Sequence, residues 1–389
     1  MGPALLLATF LAGTAAQPAA PPESSPPIIV TGKRLQDSEA ALRDCIARDC
    51  PPDEDINATL AHAENLFGTG DYRNARRILR RSLGRNRNEA ERYPVPVSDL
   101  YRSNALVANH LGLEADYARS TWGILDALKK GIPTPDARHL GARMEIAAMI
   151  TRLRGFEDGA DAYDKLAGDA DKAGRPDIAA MARLRAAGNA YRLAQTDSTR
   201  NRIREIAQLT GPETRVAASM AKLYLARIAR EAGKADEAQA LVREVAGAGF
   251  GNPVLVYSPP YELNVQALAT QRDTQLTSRG LAPLGNPASR FAGNVEDMWV
   301  DVGFWVQTDG RVTDLEVVRK GGGTSWADPL LQSMAGRLYA PAQSPAYRLE
   351  RYSYTSGLES QTGSHIMRRS PRARVEYIDL TNDGRIAPQ

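Results

Sequence analysis

Residues 298–320 read Met-Trp-Val-Asp-Val-Gly-Phe-Trp-Val-Gln-Thr-Asp-Gly-Arg-Val-Thr-Asp-Leu-Glu-Val-Val-Arg-Lys. Two alternating runs flank Asp309-Gly310, the dipeptide most typical of a tight hairpin. A two-residue turn there sets Val306 opposite Thr313, Phe304 opposite Leu315 and Val302 opposite Val317. These pairs share one face, because opposed residues point the same way. That face is apolar and is expected to pack on a helix. The other face pairs Trp305 with Asp314, Gly303 with Glu316 and Asp301 with Val318. It is mostly polar and is expected to be wet, with Trp299 and Trp305 as exposed contacts or, alternatively, buried against the helices. Gly321, Gly322 and Gly323 then let the chain turn. Asp328-Pro329 is a helix start, and Leu330, Leu331, Met334 and Leu338 form the stripe that covers the dry face.

The order of hairpin, glycine loop, helix and Tyr339-x-Pro341-Ala342 resembles the C-terminal domain of TonB, the energy transducer of Gram-negative outer-membrane transport. The residues that carry the resemblance are Val302, Phe304, Val306, Asp309-Gly310-Arg311-Val312, Asp314-Leu315, Val317-Val318, Tyr339, Pro341 and Ala342. It covers residues 295–354. Arg337 stands where many relatives have an aromatic residue, residues 348–354 supply the next strand, and a strand-like run at 374–380 lies outside the family pattern. The resemblance implies an open-edged sheet suited to strand addition. TonB-type transducers anchor in the inner membrane and cross the periplasm on a proline-rich spacer; here helices take the place of that spacer.

Residues 55–249 are rich in alanine, arginine and leucine at helical spacing. The clearest unit is Ala63-x-x-Leu66-Phe67-x-x-Gly70-Asp71-Tyr72-x-x-Ala75-x-x-x-Leu79-x-x-Ser82, which resembles the tetratricopeptide repeat (TPR). Further copies centre on Arg154-Gly155-Phe156 and Ala232-Gly233-Lys234, with weaker ones at 112–117 and 193–197. The turns recur about every 40 residues against about 34 in that repeat, so Tyr93-Pro94-Val95-Pro96 and Gly131-Ile132-Pro133-Thr134-Pro135 are read as linkers. Stacked helix pairs bury a core that one pair alone cannot. Arg73, Arg76, Arg77, Arg80, Arg81, Arg85, Arg87 and Arg92 make a basic stretch. No aromatic residues are interleaved for base stacking, and the net charge is only +3, so no nucleic-acid partner is expected.

Residues 1–16 form a short apolar segment ending in small residues, which reads as a secretory signal; it is too short to span a bilayer comfortably. Residues 17–40 read as a proline-rich linker. They contain Ile28, Ile29, Val30 and Thr31, a β-prone run that resembles the TonB box of outer-membrane receptors; the two readings are a strand donated to a TonB-like edge, its own or another's, and a linker with no partner. Cys45 and Cys50 are the only cysteines. Export favours a disulfide between them, which requires the helix to end between the two; the alternative is two inert thiols. No phosphate-binding loop, zinc motif or nucleophile elbow occurs, and His62, His110, His139 and His365 are scattered. No catalytic residue, cofactor or metal is expected.

The expected fold is multidomain, α and α+β: a TPR-like α-helical solenoid at 41–250, a linker at 251–292, and a small TonB C-terminal-like β-β-α-β domain at 293–389. The expected function is a non-enzymatic periplasmic adaptor. It would bind protein partners of the cell envelope, among them a TonB-dependent receptor, without an integral membrane span. The competing readings are a membrane-anchored TonB-type energy transducer, a structural spacer and an envelope enzyme.

Overall fold

A computed structural model describes residues 34–245, 253–262, 278, 280, 298–360 and 367–381, without the side chains of 359–360 and 367–373. Among the described residues eleven α-helices come first: α1 (Leu35–Ala47), α2 (Pro52–Gly68), α3 (Tyr72–Asn86), α4 (Pro94–His110), α5 (Glu114–Gly131), α6 (Ala137–Arg154), α7 (Phe156–Lys172), α8 (Pro176–Leu193), α9 (Asp197–Ala207), α10 (Arg215–Glu231) and α11 (Ala235–Val245). Each of the five turns anticipated from the repeat pattern separates two of these helices. Gly70, Gly112, Gly155 and Gly233 adopt positive φ. At Gly70 the reason is double: its φ is 84°, and the indole of Trp299 lies directly against its Cα. A side chain there would be strained and would collide.

Local chemistry sets the helix starts. Asp71 accepts from the Asn74 N–H at 3.2 Å and Asp136 from the Arg138 N–H at 2.8 Å, which satisfies donors that the first turn leaves unpaired. Residues 93–96 are not a linker. Pro94 opens α4, where a missing N–H costs nothing, and Val97 and Leu100 are fully buried one turn later. The stretch after Gly131 is a true connection. Helix α1 begins at Leu35, inside the stretch expected to be linker. It ends before Cys50, so the Cα atoms of Cys45 and Cys50 approach to 5.1 Å and the two are bonded, within the range a disulfide requires.

Consecutive helices pack as hairpins, and α2 also touches α4, α6 touches α8, and α8 touches α10. This is the contact pattern of a stacked array, in which each pair is stabilised by its neighbours. Its core is a succession of clusters, such as Leu140, Tyr163 and Leu166 between α6 and α7 and Leu184, Ile203 and Leu225 joining α8, α9 and α10.

The C-terminal sheet contains β2 (Trp299–Val306), β3 (Val312–Gly321), β5 (Ala346–Ser360) and β6 (Met367–Asp379), antiparallel in the order β3-β2-β5-β6. Helix α12 (Asp328–Ala335) lies between β3 and β5 in sequence. The strand-like run at 374–380 belongs to β6 except for its last residue, Leu380. A separate pair joins β1 (Leu255–Tyr257) to β4 (Leu338–Tyr339), so the stretch expected to be linker holds a strand, whose Val256 packs against α10 and α11.

The hairpin register departs from the two-residue expectation. Gln307 N–H donates to the Arg311 carbonyl at 2.9 Å, and Gly310 N–H to the Gln307 carbonyl at 2.9 Å. The loop is therefore Thr308-Asp309-Gly310, a tight turn followed by a glycine at φ 84°, which is the usual three-residue hairpin. Val306 accordingly pairs with Val312 and Trp305 with Thr313. Asp314, at φ 52°, absorbs the extra residue as a bulge, a conformation that aspartate tolerates better than most. The anticipated pairs Gly303–Glu316 and Val302–Val317 are thereby restored. A second irregularity places Asp301 opposite Arg319 rather than Val318.

Candidate protein-interaction site

One face of the sheet is dry, as its alternation predicts. Val300, Val302, Phe304 and Val306 are buried against Trp326, Leu330 and Met334. Arg337, in the place of the expected aromatic residue, donates to Glu350 at 2.8 Å. Arg348 reaches Glu350 at 3.1 Å and Asp379 at 2.7 Å. Burial, together with the Glu350 carboxylate, holds the Tyr352 hydroxyl pKa well above its ordinary value.

The other face is not wet. It packs on the helical array through buried charge. Arg351 has no exposed surface. It donates to Asp301 at 2.6 and 2.9 Å, to the Gly68 carbonyl at 2.7 Å and to the Phe67 carbonyl. The last carbonyls of α2 carry the negative end of the helix dipole, so a guanidinium there both caps the helix and is stabilised by it. Arg319 approaches the same buried Asp301 at 2.8 Å, and Tyr72 bonds Ser353 at 2.9 Å. One strand over, Arg374 donates to the Asn109 carbonyl near the end of α4 at 3.3 Å. Glu376 receives Asn109 at 3.0 Å and also Arg152 of α6. Two neighbouring strands thus cap two successive inner helices.

His110 sits in this joint, edge-on to Phe67 with ring centroids 4.9 Å apart. Burial, reinforced by Arg351, Arg152 and Arg374, pushes its pKa down to about 3. Its neutral form is therefore favoured in the fold at pH values well above 3.

The joint relocates Trp299. Expected as an exposed contact, it is only 8% exposed, packed with Phe67 and Tyr72 in the core of the first repeats beneath the Arg351 guanidinium, 4.0 Å from its ring centroid. The alternation placed it on the correct face; only the array decides that this face is covered. Trp305 is half-buried, stacked edgewise on Tyr347 with centroids 5.5 Å apart. Ile28, Ile29, Val30 and Thr31 lie outside the described residues. The structure brings Trp299 and Trp305 onto the same strand but into different surroundings.

Beyond the array, β3 is the first strand of the sheet; Leu338 of β4 bridges to Arg311 just before it, and among the described residues no other strand pairs with its outer side along Val312–Gly321. Val317 and Val318 are 39% and 45% exposed. Val318 and Tyr347 close over Gly303, which has no side chain to hold them off, and Trp305 continues that patch. An unpaired edge beside exposed valines and an aromatic pair is a surface on which another strand can continue the ladder. The sequence showed the β-branched run but not that β3 stands at the rim.

Of the basic stretch on α3, Arg76 reaches Asp116 and Arg85 holds buried Asp55 at 2.6 Å, so part of it is spent inside the fold. Among the described residues, no helix is long and apolar enough to cross a membrane.

No family model and no curated protein matches the chain. Solved structures similar to part of it include BtubC (BKLC) from P. vanneervenii, with 15% identity and a TM-score of 0.41 over 59% of this chain and 94% of that one. A Rap protein complexed with Competence and Sporulation Factor has 14% identity and a TM-score of 0.38, covering 54% of this chain and 58% of that one. The apo form of RapI has 12% identity and a TM-score of 0.36, over 54% and 73%.

Proposed function

We propose that the protein is a non-enzymatic adaptor of the bacterial cell envelope that accepts an extended strand of a partner protein on the outer edge of β3 and uses the helical array as a second binding surface. The observation that carries this reading is the β3 edge, unpaired along Val312–Gly321 among the described residues, with Val317 and Val318 exposed and Val318 beside Tyr347 and its neighbour Trp305. The element order β2, β3, α12, β5 supports kinship with TonB C-terminal domains, and a TonB-dependent receptor would supply such a strand. The Cys45–Cys50 bond supports an oxidising compartment, the periplasm.

The array supports the edge mechanically. Its buried contacts to Arg351 and Glu376 hold the sheet against the helices while the opposite rim is used. A photo-crosslinker placed at Val317 in native envelope should capture a defined protein through an extended segment. Replacing Val318 with Lys, a residue that protects edges against added strands, should abolish that capture. Crosslinking that is unchanged in the Lys variant would refute strand addition.

A further inference from the structure

A second surface of the array has the make-up of a small-molecule site. A cavity of about 520 Å³ opens among α5, α6 and α7, within the range of ligand pockets, about 300–1,000 Å³. Its walls include Leu125, Ile146 and Leu166, all buried apolar residues. Trp122 borders it and is 47% exposed, a large apolar ring left partly open to solvent.

The polar groups have one sign left over. Arg143 is engaged by Asp169 at 2.6 Å, and Asp136 by Arg138 at 2.8 Å. Lys129 and Lys165 border the same cavity, and neither has an ion-pair partner among the described residues. His139 also lines it. It is only 5% exposed, and neither ring nitrogen has a hydrogen-bond partner among the described residues. A neutral imidazole carries one N–H donor, and leaving it unpaired when buried is costly. An apolar floor, two unneutralised ammonium groups and a buried donor without an acceptor ask for one molecule with an apolar body and an anionic oxygen.

We propose that this cavity binds a small amphipathic carboxylate, its apolar body against Leu125, Ile146, Leu166 and the Trp122 ring, its carboxylate between Lys129 and Lys165 and within reach of His139. The site is independent of the β3 edge. It adds a ligand input to the same array.

Calorimetric titration of the full chain with decanoate, decanol and decylamine tests the assignment. Decanoate should saturate a single site, while decanol and decylamine should bind about tenfold more weakly or not at all, the loss of roughly one favourable charge contact. The double variant Lys129→Glu/Lys165→Glu should lose about tenfold in decanoate affinity. Trp122→Ala changes an exposed side chain that the fold does not need, and it should weaken decanoate while leaving the circular dichroism melt unchanged. Absence of saturable decanoate binding, decylamine binding as tightly as decanoate, or wild-type affinity in the Trp122 variant would each overturn the proposal.

Discussion

On its α12 side the sheet presents Val300, Val302, Phe304 and Val306 to Trp326 and Leu330; on its array side it presents Arg351, itself held by Asp301, together with Ser353 and Glu376 to the ends of α2, α3, α4 and α6. Both faces are buried, by different means. Along its apolar stripe the first needs shape and volume, so many apolar sets would serve there, while the buried Arg337–Glu350 and Arg348–Glu350 pairs flank that stripe. The second brings charges out of water, which is tolerable only because each buried charge meets a specific partner, helix-end carbonyls among them. The apolar face can therefore be substituted conservatively. The ionic face fixes how the sheet is placed on the array.

The largest expected effect tests that difference directly. Arg351→Met should destabilise the protein by about 3–5 kcal/mol, because Asp301 would remain buried without its main counter-charge. Arg351→Met combined with Asp301→Leu should regain most of that loss. Phe304→Ala on the apolar face should also cost about 3–5 kcal/mol, but no second replacement next to it would restore stability in the same way. Denaturant midpoints of the four proteins decide the point. Equal behaviour of the two faces would break the comparison.

Next comes Gly70→Ala. The positive φ alone costs about 1–2 kcal/mol, and the new methyl group would meet the Trp299 indole. Hydrogen exchange should then rise first in β2 and at the end of α2, the elements on either side of the joint. An equal rise throughout the chain would argue against a local separation.

A smaller effect should follow acidity. His110 has an ordinary pKa of 6.5, and in the fold it lies at about 3. Between those values the unfolded chain binds the extra proton, so stability falls as pH falls through that window. Going from pH 6.5 to about pH 5 should remove about 1.5 kcal/mol through this residue. Replacing His110 with Phe should flatten the dependence of the unfolding midpoint over that interval. The smallest effect on stability is expected at the free rim, where Val318→Lys should stay within about 0.5 kcal/mol of wild type.

Much of this arrangement was legible residue by residue. The hairpin's apolar face, the helix that covers it and the turns of the array follow from spacing of two and of 3.6 residues, and the Cys45–Cys50 bond was one of two outcomes left open by the prolines after it. The one-residue error at the turn arose because Asp-Gly also serves a three-residue loop, and the compensating bulge at Asp314 leaves no mark in an alternating pattern. Reading the second face as wet failed for a different reason. Asp301, Arg351 and Glu376 look like solvent-exposed residues until their partners, far away in sequence, are in place.

By itself the sequence determined most of the helical array, the β2–β3 hairpin and which side of that hairpin is apolar, since these depend on the side chains of near neighbours; it missed the start of α1, the start of α4 and strand β1. Only the tertiary structure decided that a polar sheet face is dry, that Trp299 is a core residue rather than a contact, and that β3 rather than β2 or β5 forms a rim. Those outcomes depend on contacts between residues hundreds of positions apart, where one arginine is buried or exposed according to whether a helix ends beside it.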